Sequence, residues 1–246
     1  MFVMAVTPLT LLVGVFLSLS FKVAGKPPRK SPVFLGPEFQ SDEFRRRVFE
    51  NGEVPEGLLS VSFPTDESLN RQLREELMHL YESGAEQGKW GCPECNVGSW
   101  RSPPALMNST EFTSFGKLKP VVDELLSSTL DRPDLELKGL FGKIDHYQAV
   151  GKPHVHHDEV TGIYYIDPGD ATLQNGPLVF FSNPDRRSRR SSKRVKKTKL
   201  VPQKGMMLIW PSNLMHTMPG YKSDRPRMSV VIFMAKRERP QSFETS

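Results

Sequence analysis

By hydrophobic pattern the chain divides into an apolar terminal run, a polar stretch, two helical periods and a series of short apolar or alternating runs. Leu69, Leu73, Leu77 and Leu80 recur at helical spacing with charges between them, which predicts an amphipathic helix over 68–81. Thr65 or Asp66 is placed to cap it. A second helix is expected over 111–130, with Phe112, Phe115, Leu118, Val122, Leu125 and Leu126 facing inward and Asp131-Arg132-Pro133 as its stop. From Leu137 onward the period shortens. Runs at 139–149, 161–166, 177–182, 205–210 and 228–234 stand between turn signals, the pattern of an antiparallel sandwich or barrel. The expected fold is therefore α+β and mainly β: a double-sheet core, most simply a jelly roll, with N-terminal helices buttressing one sheet.

The 246 residues suit one domain with appendages. Residues 58–236 form the expected domain, and residues 237–246 are read as a tail. Between them and the N-terminus, residues 26–57 are rich in Pro, Gly and charge and read as a linker. Phe2 to Phe21 carries no charged residue and is followed by Lys22, Lys26, Arg29 and Lys30. Such a run, about twenty residues long, is sufficient to span a bilayer. Val23-Ala24-Gly25 offers small residues for cleavage, so residues 1–25 are expected to be a signal peptide or membrane anchor, with entry to the secretory pathway. The sequon Asn108-Ser109-Thr110 is compatible with a lumenal location.

Charge alters this picture at one place only. Nine basic residues and no acidic one lie between Arg186 and Lys199, and removing those nine from the net +5 leaves −4. The basicity belongs to one insert and not to the domain surface. Lying between two strand-like runs, 186–199 is expected to be a long hairpin loop, either merely solvated or a handle for an acidic partner, phosphate or anionic lipid. It holds no aromatic residue, so any nucleic-acid contact there would be to phosphates and not to bases. Cys92 and Cys95 are the only cysteines, which excludes a four-cysteine zinc site. A local disulfide, two idle thiols and a redox pair all remain open for them. They sit in the stretch 84–104, read as a glycine- and tryptophan-bearing loop.

Candidate chemistry concentrates in Pro153 to Ile166, which sets three histidines and two carboxylates ahead of a β-type aromatic segment. If the segment is extended, His154, His156 and Asp158 point to one face. His216 follows about sixty residues later on another strand-like run. Two histidines and one carboxylate with open positions suit a non-haem Fe(II) site that must also bind a co-substrate and oxygen. His156, Asp158 and His216 are the first choice of ligands. His154 paired with His156 is the competing register. Arg227 offers a bidentate fork for an anionic co-substrate, Ser229 shares its parity, and Thr161 and Tyr165 share a face of their own strand. By parity His157 points away from the metal, and His79 and His146 are single and read as structural or exposed. Trp210 reads as core.

At these residues the chain resembles the 2-oxoglutarate/Fe(II)-dependent oxygenases, and within them the phage- and bacterial-type members. The matching pieces are Trp100-Arg101-Ser102, the H-x-H run ahead of Thr161-Gly162-Ile163-Tyr164-Tyr165, Gly176-Pro177-Leu178, Pro211-Ser212, His216 and Arg227-Met228-Ser229. The resemblance covers roughly residues 58–236. It implies a double-stranded β-helix core, Fe(II), O2, and 2-oxoglutarate decarboxylated to succinate as an unknown substrate, a polypeptide side chain or small metabolite, is hydroxylated. It also implies His156, Asp158 and His216 as metal ligands, and Arg227, Ser229 and Tyr165, with Thr161 beside them, as the keto-acid site. Two readings compete with it: a catalytically silent jelly-roll binding protein that uses the basic loop, and a cupin-like metalloenzyme without 2-oxoglutarate.

Overall fold

Strand β9 (Arg227–Lys236) shows how the domain is layered. Its even positions Met228, Val230, Ile232 and Met234 pack in one apolar cluster with helical leucines. Its odd positions include Arg227, Ser229, Val231 and Phe233, all buried, which turn to the other face. Both faces are covered, so the strand reads as continuously apolar with two polar interruptions. The computed structural model describes residues 58–62, 67–89, 92–103, 106–129, 132–182 and 196–237. These belong to one compact unit, Ser31–Ser246.

In chain order the strands are β1 (Leu59–Ser62), β2 (Asn96–Arg101), β3 (Leu135–His154), β4 (Val160–Asp167), β5 (Leu178–Ser182), β6 (Lys196–Leu200), β7 (Met206–Pro211), β8 (His216–Met218) and β9. All pairings among the described residues are antiparallel, in the order β1-β7-β4-β9-β3-β8-β5-β6, with β2 added on β3. The sheet curls into a jelly roll because β3 belongs to both of its halves. Residues 135–145 pair with β9, whereas Gly151 and His154 pair with β8. Between them lies an irregularity. Ser99 of β2 faces Asp145 and Val97 faces Val150, so the β3 residues between 145 and 150 have outrun their partner. Gln148 there adopts φ 65°, the left-handed region that side chains ordinarily avoid. Its N–H donates to the Tyr221 carbonyl, and the Tyr221 N–H donates to the Ala149 carbonyl, which fixes the kink.

Helix α1 (Glu67–Glu82) buries Leu73, Leu77 and Leu80 as the leucine spacing predicts. Each such side chain contributes about 1.5–3 kcal/mol on burial. The helix ends in a Schellman motif: the Gly84 N–H reaches the Tyr81 carbonyl and the Ala85 N–H reaches the Leu80 carbonyl, with Gly84 at φ 73°. The second expected helix is broken. It forms α2 (Thr113–Gly116), α3 (Leu118–Glu124) and a π turn, Leu125–Thr129. Pro120 has no N–H to donate and is tolerated only in a first turn, so a new helix must begin just before it. Leu118, Val122, Leu125 and Leu126 nevertheless pack with α1 against the outer face of the sheet.

The remaining departures concern strands. The stretch 84–104, expected as a loop, contains β2, because Val97, Ser99, Trp100 and Arg101 find β3 as an edge. The basic insert ends inside a strand, since Lys196, Lys197 and Lys199 lie in β6 paired with β5. Residues 183–195 and 238–246, and the N-terminal segments 1–25 and 26–57 with the proposed cap at 65–66, lie outside the described residues. Among the described residues, no helix is long and apolar enough to cross a membrane.

Asn70 joins the helical layer to the sheet. Its Nδ2 donates to the Ile166 carbonyl at 2.9 Å and its Oδ1 accepts from the Tyr164 hydroxyl at 3.1 Å. The pairing of β4 with β9 shifts register between Tyr165 and Asp167, so Ile166 is the bulged residue whose carbonyl needs another donor. Asn70→Ala is expected to destabilise the fold by about 1–3 kcal/mol, read as a lower urea midpoint with unchanged m-value.

Candidate metal centre

His154 ends β3 and His216 opens β8, and the two are directly opposed register partners. His156 stands two residues past the end of β3, where its N–H donates to the Ser212 carbonyl at 2.8 Å. That bond ties the loop after β3 to the turn after β7. The three imidazoles converge, with ring centroids 4.5 Å apart for His154 and His216, 5.0 Å for His154 and His156, and 5.1 Å for His156 and His216. One ring nitrogen from each lies within 4.8 Å of the other two.

Backbone carbonyls orient two of the rings. His154 Nδ1 lies 2.6 Å from the Lys152 carbonyl and His216 Nδ1 lies 3.0 Å from the Leu214 carbonyl. A carbonyl accepts only, so each Nδ1 carries the proton and each Nε2 presents a lone pair. His156 Nε2 is 3.3 Å from His216 Nε2. A cation bound to both at about 2.1 Å and near a right angle would hold them about 3 Å apart. The donor set thus fits a transition-metal ion.

Burial keeps these rings neutral and available. It lowers His216 to about 3, aided by the neighbouring His154, and lowers His156 to about 4, with His154 and His157 adding to the effect. His154 is lowered from its ordinary value for the same first reason.

Behind the histidines lies a cavity lined by Phe141, Lys143, Asp145, Thr161, Ile163, Tyr165, Leu178, Trp210, Arg227 and Val231 among others. Its polar end is a buried charge cluster. Arg227 donates from Nε and Nη2 to Asp145 Oδ2 at 2.9 and 2.7 Å, and from Nη1 to the Gly176 carbonyl at 2.6 Å. Lys143 Nζ reaches Asp145 Oδ1 at 2.9 Å, and the Ser99 hydroxyl donates to the same oxygen at 2.6 Å. Burial alone would raise the Asp145 carboxyl, but the Lys143 and Arg227 charges outweigh it and hold the group far below the usual carboxylate range. Burial pushes Lys143 down and the Tyr165 phenol up. The Thr161 hydroxyl, expected on the keto acid, is hydrogen-bonded to that of Ser212 at 2.7 Å. The Oγ of Ser229 and Nε1 of Trp210 are buried with no hydrogen-bond partner among the described residues.

On the opposite side of His154 and His156 a larger cleft opens, lined by Cys92, Glu94, Cys95, Lys138, Val155, His157, Asp158 and Phe233. Cys92 and Cys95 are joined as a disulfide, one of the alternatives the sequence left open. Asp158, the expected carboxylate ligand, lies on this cleft and outside the histidine cluster. The reason is local. β3 stops at His154 and residues 157–159 bend, so the strand parity that put Asp158 beside His156 does not apply. His154, the competing choice, is the third member of the histidine cluster. His157 is exposed, as expected. Lys143 and Asp145 had not been singled out. Two charges at alternate positions of an otherwise apolar run, 139–149, were the signal that pointed to them.

Residues 144–232 match a family model described as "Putative 2OG-Fe(II) oxygenase". Over this segment the chain is similar to the 2-oxoglutarate/Fe(II)-dependent oxygenases. Among the readings drawn from the sequence, this selects the oxygenase, whose cofactor is Fe(II) and whose co-substrates are 2-oxoglutarate and O2. No curated protein matches the oxygenase chain. Solved structures share its fold at low identity. A prolyl-4-hydroxylase of Pseudomonas putida is 14% identical with TM-score 0.55, over 74% of this chain and 93% of its own. A prolyl hydroxylase of Trichoplax adhaerens, in complex with a hypoxia inducible factor peptide, is 15% identical with TM-score 0.55, over 79% and 90%. HygX of Streptomyces hygroscopicus, with nickel and 2-oxoglutarate bound, is 16% identical with TM-score 0.51, over 73% and 83%.

The low values at His216 and His156 make the metal-free oxygenase sensitive to acid. An unfolded histidine titrates near 6.5, so below that pH the unfolded state binds more protons than the folded one. Stability is therefore full above about pH 6.5 and lost as pH falls toward the folded values. In chelator, the urea midpoint is expected to drop between pH 7 and pH 5, with His216 alone contributing about 2 kcal/mol. His216→Gln should flatten that slope.

Proposed function

We propose that this oxygenase hydroxylates a polypeptide side chain or a small metabolite, with iron held by His154, His156 and His216. The observation that carries the reading is the convergence of three neutral imidazoles where an inner cavity and an outer cleft meet. When bound, Fe(II) supplies the oxygen chemistry that couples decarboxylation of the keto acid to substrate hydroxylation. The protein's own groups do the rest. The Lys152 and Leu214 carbonyls hold two rings in the tautomer that presents Nε2. Phe141, Ile163, Val231 and Leu178 form an apolar wall that suits the methylene body of 2-oxoglutarate and excludes water from it. The polar end, where Arg227, Ser229 and Tyr165 stand, suits its distal carboxylate. The outer cleft, walled by the disulfide turn and by Asp158, is where the substrate approaches.

A third histidine in place of a carboxylate leaves the centre more positive by one charge, which favours a dianionic co-substrate. The disulfide at the cleft supports an oxidising, secretory location.

Removing a true ligand should cost more than the roughly 10- to 100-fold in metal affinity that outer-shell changes cost. His154→Ala and His216→Ala are accordingly expected to abolish Fe(II) binding and the conversion of 2-oxoglutarate to succinate. Asp158→Asn should retain metal within about threefold, well below that outer-shell range. Metal titration of the three variants, followed by succinate assay under air, checks this. Loss of metal in Asp158→Asn with retention in His154→Ala would restore the carboxylate ligand and remove the three-histidine centre.

A further inference from the structure

The turn ahead of α2 carries a motif that the oxygenase chemistry does not use. Asn108-Ser109-Thr110 is the chain's only Asn-x-Ser/Thr sequence, since no other asparagine has Ser or Thr two places on. Such a motif arises often by chance, so the way the fold presents it decides its meaning.

A 3₁₀ turn, Leu106–Asn108, sets the side chains apart. Leu106 is buried in the apolar cluster of the helical layer and anchors the turn. The Ser109 hydroxyl is engaged by the fold. Its Oγ accepts from the Phe112 N–H at 2.9 Å and from the Glu111 N–H at 3.2 Å, which fastens the approach to α2. Asn108 and Thr110, on either side of it, are exposed. Neither side chain makes a hydrogen bond among the described residues. The middle residue of the motif therefore serves the fold, while the amide to be modified and the hydroxyl two places on face solvent.

The turn also stands clear of the candidate metal centre. Leu106 packs on the side of the sheet that receives Met228, Val230, Ile232 and Met234. Val231 and Phe233, the odd positions of the same strand, line the cavity and the cleft. A bulky group on Asn108 extends from the helical layer and enters neither. Met107 and Phe112, close to it in the chain, are only partly buried against the apolar cluster, a fringe that a hydrated sugar covers.

We propose that Asn108 is an N-glycosylation site whose donor is an oligosaccharide joined through a diphosphate to a lipid. In the transfer, Asn108 Nδ2 bonds to C1 of the first sugar and the bond from C1 to the diphosphate oxygen breaks. The amide gives up one proton as the lipid diphosphate leaves. This rests on the secretory reading of residues 1–25 and of the Cys92–Cys95 disulfide, because the modification belongs to secreted chains.

The test is translation of the full chain with endoplasmic-reticulum microsomes, followed by external protease and by peptide N-glycosidase, read by gel mobility and peptide mass spectrometry. The wild type should be protected from protease and should lose a single mobility shift on glycosidase treatment, which leaves the amide at 108 as a carboxylate. Asn108→Gln and Thr110→Ala should lack the shift, and Thr110→Ser, which keeps a hydroxyl, should retain it. Protected wild-type chain without a glycan, or a glycan that persists in Asn108→Gln or Thr110→Ala, overturns the site and leaves the secretory reading standing. Wild-type chain digested by external protease overturns the secretory reading and the site with it.

Discussion

The site depends on one strand serving two sheets. β3 leaves β9 at Asp145 and joins β8 at Gly151, and the kink between them is held by reciprocal hydrogen bonds of Gln148 and Ala149 with Tyr221. Its first arm places Lys143 and Asp145 opposite Ser229 and Arg227, and its second arm places His154 opposite His216. The polar end of the cavity and the histidine cluster are thus positioned by the two arms of a single continuous strand. A ladder register fixes which residues oppose one another, so the separation of the two chemistries is set by backbone pairing and not by side-chain choice. β2 reinforces this by pairing across the kink, with Asn96 and Val97 on the second arm and Ser99 to Arg101 on the first.

Electrostatics divides the cavity along the same line. At one end three imidazoles are kept neutral by burial and oriented by backbone carbonyls, a condition suited to a divalent cation. At the other end two cations share one carboxylate. Buried charge without a full counterpart costs stability, and natural sites retain it where a ligand supplies the missing sign. A molecule with a metal-chelating group at one end and a carboxylate at the other, joined by an apolar body, complements both ends and the Phe141, Val231 and Ile163 row between them.

Architecture was legible because it is written in period. The spacing of Leu69, Leu73, Leu77 and Leu80 and the alternation within β4 and β9 are consequences of local geometry, and the structure reproduces both. The short strands β2 and β6 were not legible, because each owes its extended state to a partner's edge and not to its own composition. Pro120 marked a helix boundary that the apolar positions around it concealed.

The sequence by itself determined the residue types of the site, the double-sheet class and the order in which His156, Tyr165, His216 and Arg227 arrive. Those follow from covalent order and from periodicity, which a linear chain displays. Only the tertiary structure decided that His154 and not Asp158 completes the cluster, because the choice turns on where β3 stops. It also decided that Arg227 spends its fork on Asp145. Both outcomes depend on contacts between residues about sixty and eighty positions apart, and no spacing along the chain encodes which of two neighbouring side chains will meet them.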